Sequence, residues 1–167
     1  MLLMRMLTSG TNSRLHKRLR SDKELVYAVT GVHSRMHDVG SIGCLIFVDP
    51  DIVEVLKATE ITLEELRNFS AGRFNNDELT IAKRKAVTSF TVAMEGQTAV
   101  LDYHVDRAIK GLLPESPQAY IDRIEKVTVE QIVTVAKRIF VNERLNLLYF
   151  GRRSEEVAKA LEGGVFF

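Results

Sequence analysis

Apolar residues at the start of the chain fall at helical spacing. Leu2, Leu3, Met6 and Leu7 form part of one helix, which breaks at the turn-forming cluster Thr8-Ser9-Gly10-Thr11-Asn12. Ser13 can cap the next helix, where Leu15 and Leu19 share a face at i, i+4 and Lys17, Arg18 and Arg20 occupy the remainder. The pattern then changes to that of strands. Tyr27 to His33 and Ile42 to Val48 are rich in strand formers, and the turn signal His37-Asp38-Val39-Gly40 between them predicts an antiparallel hairpin.

Asp49-Pro50 reads as a helix start, with Asp as cap and Pro in the first helical position. The apolar positions Ile52, Val53, Val55, Leu56, Leu63, Leu66 and Phe69 carry that helix to about Ala71. Asn75 and Glu78 have capping-box spacing and open a longer helical pattern, broken at Gly96 and stopped at Gly111. Ser116-Pro117 opens a short helix, and Thr128 with Gln131 forms a second capping box for a helix ending near Phe140. The apolar run Leu145 to Phe150 reads as a buried strand ended by Gly151. A last helix from about Ser154 to Leu161 precedes the tail Gly163 to Phe167. The order predicts an α+β domain in which a small, mainly antiparallel sheet packs against a layer of helices.

The length of 167 residues, 46% of them hydrophobic, suits a single domain over residues 1–167. Charges nearly cancel, 23 basic against 22 acidic, so no broad positive field recruits nucleic acid, and the absence of Trp leaves little for a base-stacking platform. No apolar run approaches the roughly 20 residues that span a bilayer, so no membrane partner is expected. Cys44 is the only cysteine, which excludes an intramolecular disulfide and a cysteine-rich zinc module and leaves the compartment unread.

The segment Ser13-Arg14-Leu15, followed by Arg20 and, seven residues on, Tyr27, resembles the helix-to-strand junction of C-terminal-type domains in the pitrilysin/insulinase family of zinc peptidases, which includes mitochondrial processing peptidase. Further pieces occur in the family's order: Val48-Asp49-Pro50, Glu78-Leu79 with Ala82-Lys83, Glu95, Gly111, Val127-Thr128 with Ile132-Val133, and Phe150-Gly151. The resemblance implies that Arg20 and Tyr27 help position a substrate main chain at a zinc site belonging to another domain. It also implies a metallopeptidase half of the processing-peptidase type. A complete domain of that type begins with a further strand before the first helix, so this chain is expected to be a truncated piece of a longer one, with an exposed sheet edge. Two departures stand out: the loop before Ser13 keeps only Gly10 where the family is glycine-rich, and Glu24 stands where the family has Gly. If that position has positive φ, Glu24 costs about 1 kcal/mol.

Without the resemblance, Arg20 is an ordinary surface Arg at a helix end and Tyr27 a packed strand residue. With it, the Arg can donate to peptide carbonyls and the Tyr hydroxyl to a developing oxyanion. The basic run Arg14, Lys17, Arg18, Arg20 and Lys23 reads as a solvated helix face, or else as a surface for acidic or carbonyl-rich partners. His33 and His37 stand four apart, but on a strand that spacing separates them by about 13 Å, too far for one ion. Asp102, His104 and Asp106 diverge on a helix. The family's H-x-x-E-H signature does not occur around His16, His33, His37 or His104, and no nucleophile has a recognisable motif.

The resulting expectation is a non-catalytic half of a zinc-dependent peptidase, inactive alone, contributing peptide-substrate binding and chamber closure. It carries no cofactor or metal itself. Zinc is expected in an N-terminal-type partner domain or subunit, and the exposed sheet edge leaves room for a homo-oligomer. The alternatives are a structural or regulatory domain of a catalytically inactive family member, and an unrelated α+β interaction module, which Arg20 and Tyr27 pointing to opposite sides would favour.

Overall fold

The computed structural model describes residues 2–36 and 38–162. Met1, His37 and the tail 163–167 lie outside that range, and with them the first residue of the expected turn signal and one half of the His33/His37 pair.

The first helix, α1 (Leu2–Thr8), is buried along almost its whole length and sits at the centre of the core. After the Thr8–Asn12 turn comes α2 (Arg14–His16), which widens into a π-helical turn over Lys17–Ser21 and buries Leu15 and Leu19 completely. Ser13 occupies the cap position but not the capping role. Its hydroxyl donates to the Gly10 carbonyl at 2.7 Å, stabilising the preceding turn rather than the helix amides.

The hairpin is β1 (Val26–Arg35) paired antiparallel with β2 (Gly40–Val48). The register runs from Val26 opposite Val48 to Arg35 opposite Gly40, with a bulge that leaves Tyr27 unmatched between Val26 and Ala28. Past the bulge the inner face carries Val29, Gly31, Ile42, Cys44 and Ile46, packed against α1 and the helical layer. Gly31 is required there: a Cβ at this position would stand 2.2 Å from Thr8 Oγ1. The outer face leaves Val32, Leu45 and Phe47 exposed. Among the described residues the sheet has these two strands, so each keeps one edge outside the ladder.

Helix α3 (Ile52–Ser70) starts one step later than expected. Asp51, not Asp49, is the cap, accepting from the amides of Val53 at 2.8 Å and Glu54 at 3.3 Å, and Pro50 precedes the helix. Pro50 lies between two aspartates, and only Asp51 is adjacent to the first helical amides. Both expected capping boxes form. Asn75 and Glu78 start α4 (Asn76–Ala93), and Thr128 and Gln131 start α7 (Val129–Ile139). Gly96 separates α4 from α5 (Gln97–Ile109), with Glu95 in the break, and Gly111 ends α5 at φ +64°. Ser116 caps α6 (Pro117–Glu125), and α8 (Ser154–Glu162) packs on α3. Phe90, Tyr103 and Tyr120 tie α4, α5 and α6 together, their ring centroids 4.3 to 6.3 Å apart.

The expected buried strand at Leu145 to Phe150 is not one. The segment follows a 3-10 turn (Asn142–Arg144) without a ladder partner among the described residues, and Leu148 and Phe150 are 92% and 100% exposed. Apolar composition supplied the strand propensity, but a strand also needs a neighbouring edge, which local sequence does not contain. The α+β architecture stands without it.

Candidate functional site

The junction between the π-helical turn and β1 brings the two proposed site residues together. Leu19 is anchored in the core, and its carbonyl accepts from the Leu25 amide at 2.9 Å, so the chain reverses within five residues. That reversal requires a left-handed residue, and Glu24 supplies it at φ +53°. The departure from Gly noted in the sequence therefore falls where a Cβ is strained.

Arg20 lies exposed at the end of the turn, and its guanidinium donates to the main-chain carbonyl of Tyr27. Tyr27 is the residue skipped by the strand register, so the bulge frees its carbonyl from the ladder and Arg20 gives it a partner. A guanidinium carries five N–H donors, which leaves further ones for a ligand. The Tyr27 ring is 63% exposed, and its hydroxyl donates to Asp49 Oδ2 at 3.0 Å. That hydrogen bond, with the negative charge of Asp49 behind it, raises the phenol pKa above its ordinary value; the charge of Glu54 adds slightly. Tyr27 and Asp49 flank the Val26–Val48 pair on opposite sides along the antiparallel strands, so they meet diagonally, within reach of the long Tyr side chain. Arg20 thus contacts the Tyr27 main chain, while the phenol is engaged by Asp49.

Two members of the basic run are not a solvated face. Arg14 Nε lies 2.8 Å from Glu65 Oε2, and Arg18 Nη1 lies 2.6 Å from Glu65 Oε1, while Arg18 Nη2 reaches Glu64 at 2.9 Å. Glu65 is 1% exposed. Arg18 is held protonated by hydrogen bonds to both carboxylates, and Arg18 in turn lowers the pKa of Glu64. Arg14 also covers the Phe69 ring, 5.6 Å from its centroid, and donates to the Arg73 carbonyl. This cluster fastens the Arg20-bearing turn to α3. The signal for it was in the sequence: Ala58, Ile61, Thr62, Glu65 and Phe69 share the buried face of α3 at i, i+3 and i+4 spacing, so Glu65 is a carboxylate on an apolar stripe.

Glu115 gathers Arg107 and Arg123 between α5 and α6, while the other candidates from the sequence do not converge among the described residues. His33 lies on β1, its pKa lowered mainly by partial desolvation, with nearby positive charge contributing. Asp106 pairs with Lys110 along α5, apart from any joint site with Asp102 and His104. Burial pushes the Cys44 thiol up to about 11, away from nucleophilic use. An open depression of about 280 Å³ lies at the far end of the hairpin from Tyr27, lined by Arg35, Met36, Asp38, Val39, Gly40, Lys110 and Leu112. Among the described residues no group of three His, Cys, Asp or Glu side chains can hold a metal ion, and no helix is long and apolar enough to cross a membrane.

Comparison with known proteins follows the same line. Residues 1–86 match the family described as peptidase M16 inactive domain. The fold is similar to that of a protease from Helicobacter pylori at TM-score 0.74 and 20% identity, covering 86% of this chain and 34% of that one. It is similar to a peptidase M16 inactive domain from Pseudomonas fluorescens at TM-score 0.69 and 18% identity, covering 82% and 32%. It is also similar to a chain of complex III2 from Candida albicans at TM-score 0.70 and 15% identity, covering 82% and 34%. This chain therefore spans about a third of the length of each. No curated protein matches the sequence.

Proposed function

From the premise that the chain belongs to the peptidase M16 inactive domain family, we propose that it is the non-catalytic half of a zinc-dependent peptidase. It binds peptide substrate through Arg20 and Tyr27 and closes a chamber against an N-terminal-type domain or subunit. The observation that supports this reading is the contact of the exposed Arg20 guanidinium with the Tyr27 main chain, at the start of a strand that pairs on one side only among the described residues. An extended peptide has alternating carbonyls and amides, and it meets donors at Arg20 and ladder groups along the edge.

Among the described residues no group fits a zinc site. On this reading the metal belongs to an H-x-x-E-H domain elsewhere, and the chain contributes orientation. Binding energy spent on holding the main chain still is a recognised part of catalysis, because a misplaced reacting bond lowers the rate steeply.

The test is binding of fluorescein-labelled, unfolded casein to the purified chain by fluorescence anisotropy. Arg20→Ala weakens binding about tenfold, and Arg20→Lys, which keeps charge but not the fork of donors, falls between. Unchanged affinity in Arg20→Ala, with thermal stability preserved, contradicts the role.

A second reading has its own observation. The fold likeness extends to a chain of complex III2, so a structural or regulatory part in a larger assembly, without hydrolysis, is the rival. A parent and partner that both lack H-x-x-E-H would favour it. The free strand edges also leave room for self-association, which light scattering of the purified chain would detect.

A further inference from the structure

We propose that Asp49 is a latch on Tyr27, engaging the one hydrogen-bond donor of its phenol in the resting chain, so that the hydroxyl turns to donate to a substrate oxygen only when that oxygen carries negative charge. The inference rests on the substrate-positioning reading of Tyr27 and specifies when that residue acts.

A hydroxyl has one proton to donate. In this structure Tyr27 spends it on Asp49 Oδ2 at 3.0 Å. A carboxylate is a stronger acceptor than a neutral peptide carbonyl, so a bound but unreacted peptide does not take the proton away. An oxyanion is a comparable acceptor and can. The two carboxylates near the phenol, Asp49 and Glu54, both favour its protonated form, which keeps the donor available. The bulge and the Val26–Val48 pair place the two residues diagonally across the ladder, within reach of the Tyr side chain, so the latch rests on strand register and requires no moving loop. Held this way, Tyr27 strengthens its interaction with the substrate where charge develops, the condition under which an interaction speeds a reaction.

The experiment uses the whole chain with Asp49→Ala, Tyr27→Phe and the double variant, read by casein anisotropy and by NMR titration of the Tyr27 ring. The latch predicts that Asp49→Ala tightens casein affinity about fivefold by freeing the phenol for a carbonyl, and that the double variant loses that gain. The ring pKa falls in Asp49→Ala. Should Asp49→Ala unfold the chain, Asp49→Asn is read in its place by the ring titration, and a ring pKa equal to that of the parent chain overturns the latch. Casein binding that is indifferent to Asp49→Ala, or weakened by it, overturns the latch and leaves the substrate-binding reading intact. Failure of every protein to bind casein overturns the substrate-binding reading and the latch together.

Discussion

The guanidinium of Arg20 donates to the main-chain carbonyl of Tyr27, and it does so across the one residue that the hairpin register skips. The seven-residue step between them is therefore also a local structural device: a helix-end cation satisfies a carbonyl that a bulge has taken out of the ladder. This bond uses part of the guanidinium and none of the phenol, so the same pair remains able to meet a ligand.

Glu24 is the strained residue in that junction, at φ +53°. Glu24→Gly is expected to stabilise the chain by up to about 0.5 kcal/mol, the left-handed cost less the extra freedom Gly gives the unfolded state. Urea denaturation with an unchanged m-value measures it, and a destabilised variant would show that the Glu24 side chain holds something the backbone conformation does not reveal.

Gly31 faces α1 across a gap with no room for a methyl group, Thr8 Oγ1 standing 2.2 Å from where it would go. Gly31→Ala is expected to cost about 1–3 kcal/mol by overpacking, and Gly31→Ala with Thr8→Ala less than the two single costs added. Additive costs in the cycle would refute the clash.

Glu65 should show an asymmetry. It is buried, while its partners Arg14 and Arg18 keep 22% and 34% of their side-chain exposure. Glu65→Ala lets both arginines turn toward water and costs about 1–3 kcal/mol. The pair Arg14→Ala with Arg18→Ala strands a buried carboxylate and costs about 3–5 kcal/mol. Chemical denaturation of the two variants decides the order.

Cys44 supplies a pH dependence. Its folded-state pKa is raised to about 11 by burial, so the fold favours the neutral thiol. The stabilisation is fully present below the ordinary thiol value and is lost as pH rises toward 11. Iodoacetamide at pH 8 should modify native Cys44 far more slowly than the urea-unfolded chain, and equal rates would contradict its burial.

The elements that carry their own punctuation were legible in the sequence. Asn75 with Glu78 and Thr128 with Gln131 satisfy helix amides locally, Gly111 stops α5 in the left-handed region and Gly96 marks the α4–α5 break at an ordinary extended φ, so each was readable without tertiary knowledge. The resemblance located Arg20, Tyr27 and the conflict at Glu24. What local sequence could not supply was pairing. The bulge at Tyr27 and its bond to Asp49 depend on strand register, and Leu145 to Phe150 has strand composition without an edge to join. Glu65 lies between these cases, since its place on the apolar stripe of α3 was visible while its arginine partners were not.

The account rests on a chain that holds peptide but does not cut it. Labelled casein incubated with the purified chain, with added zinc or with a chelator, tests this directly by anisotropy and gel in the same sample. The account predicts casein that is bound and intact under every condition; cleavage abolished by the chelator, or no binding at all, contradicts it.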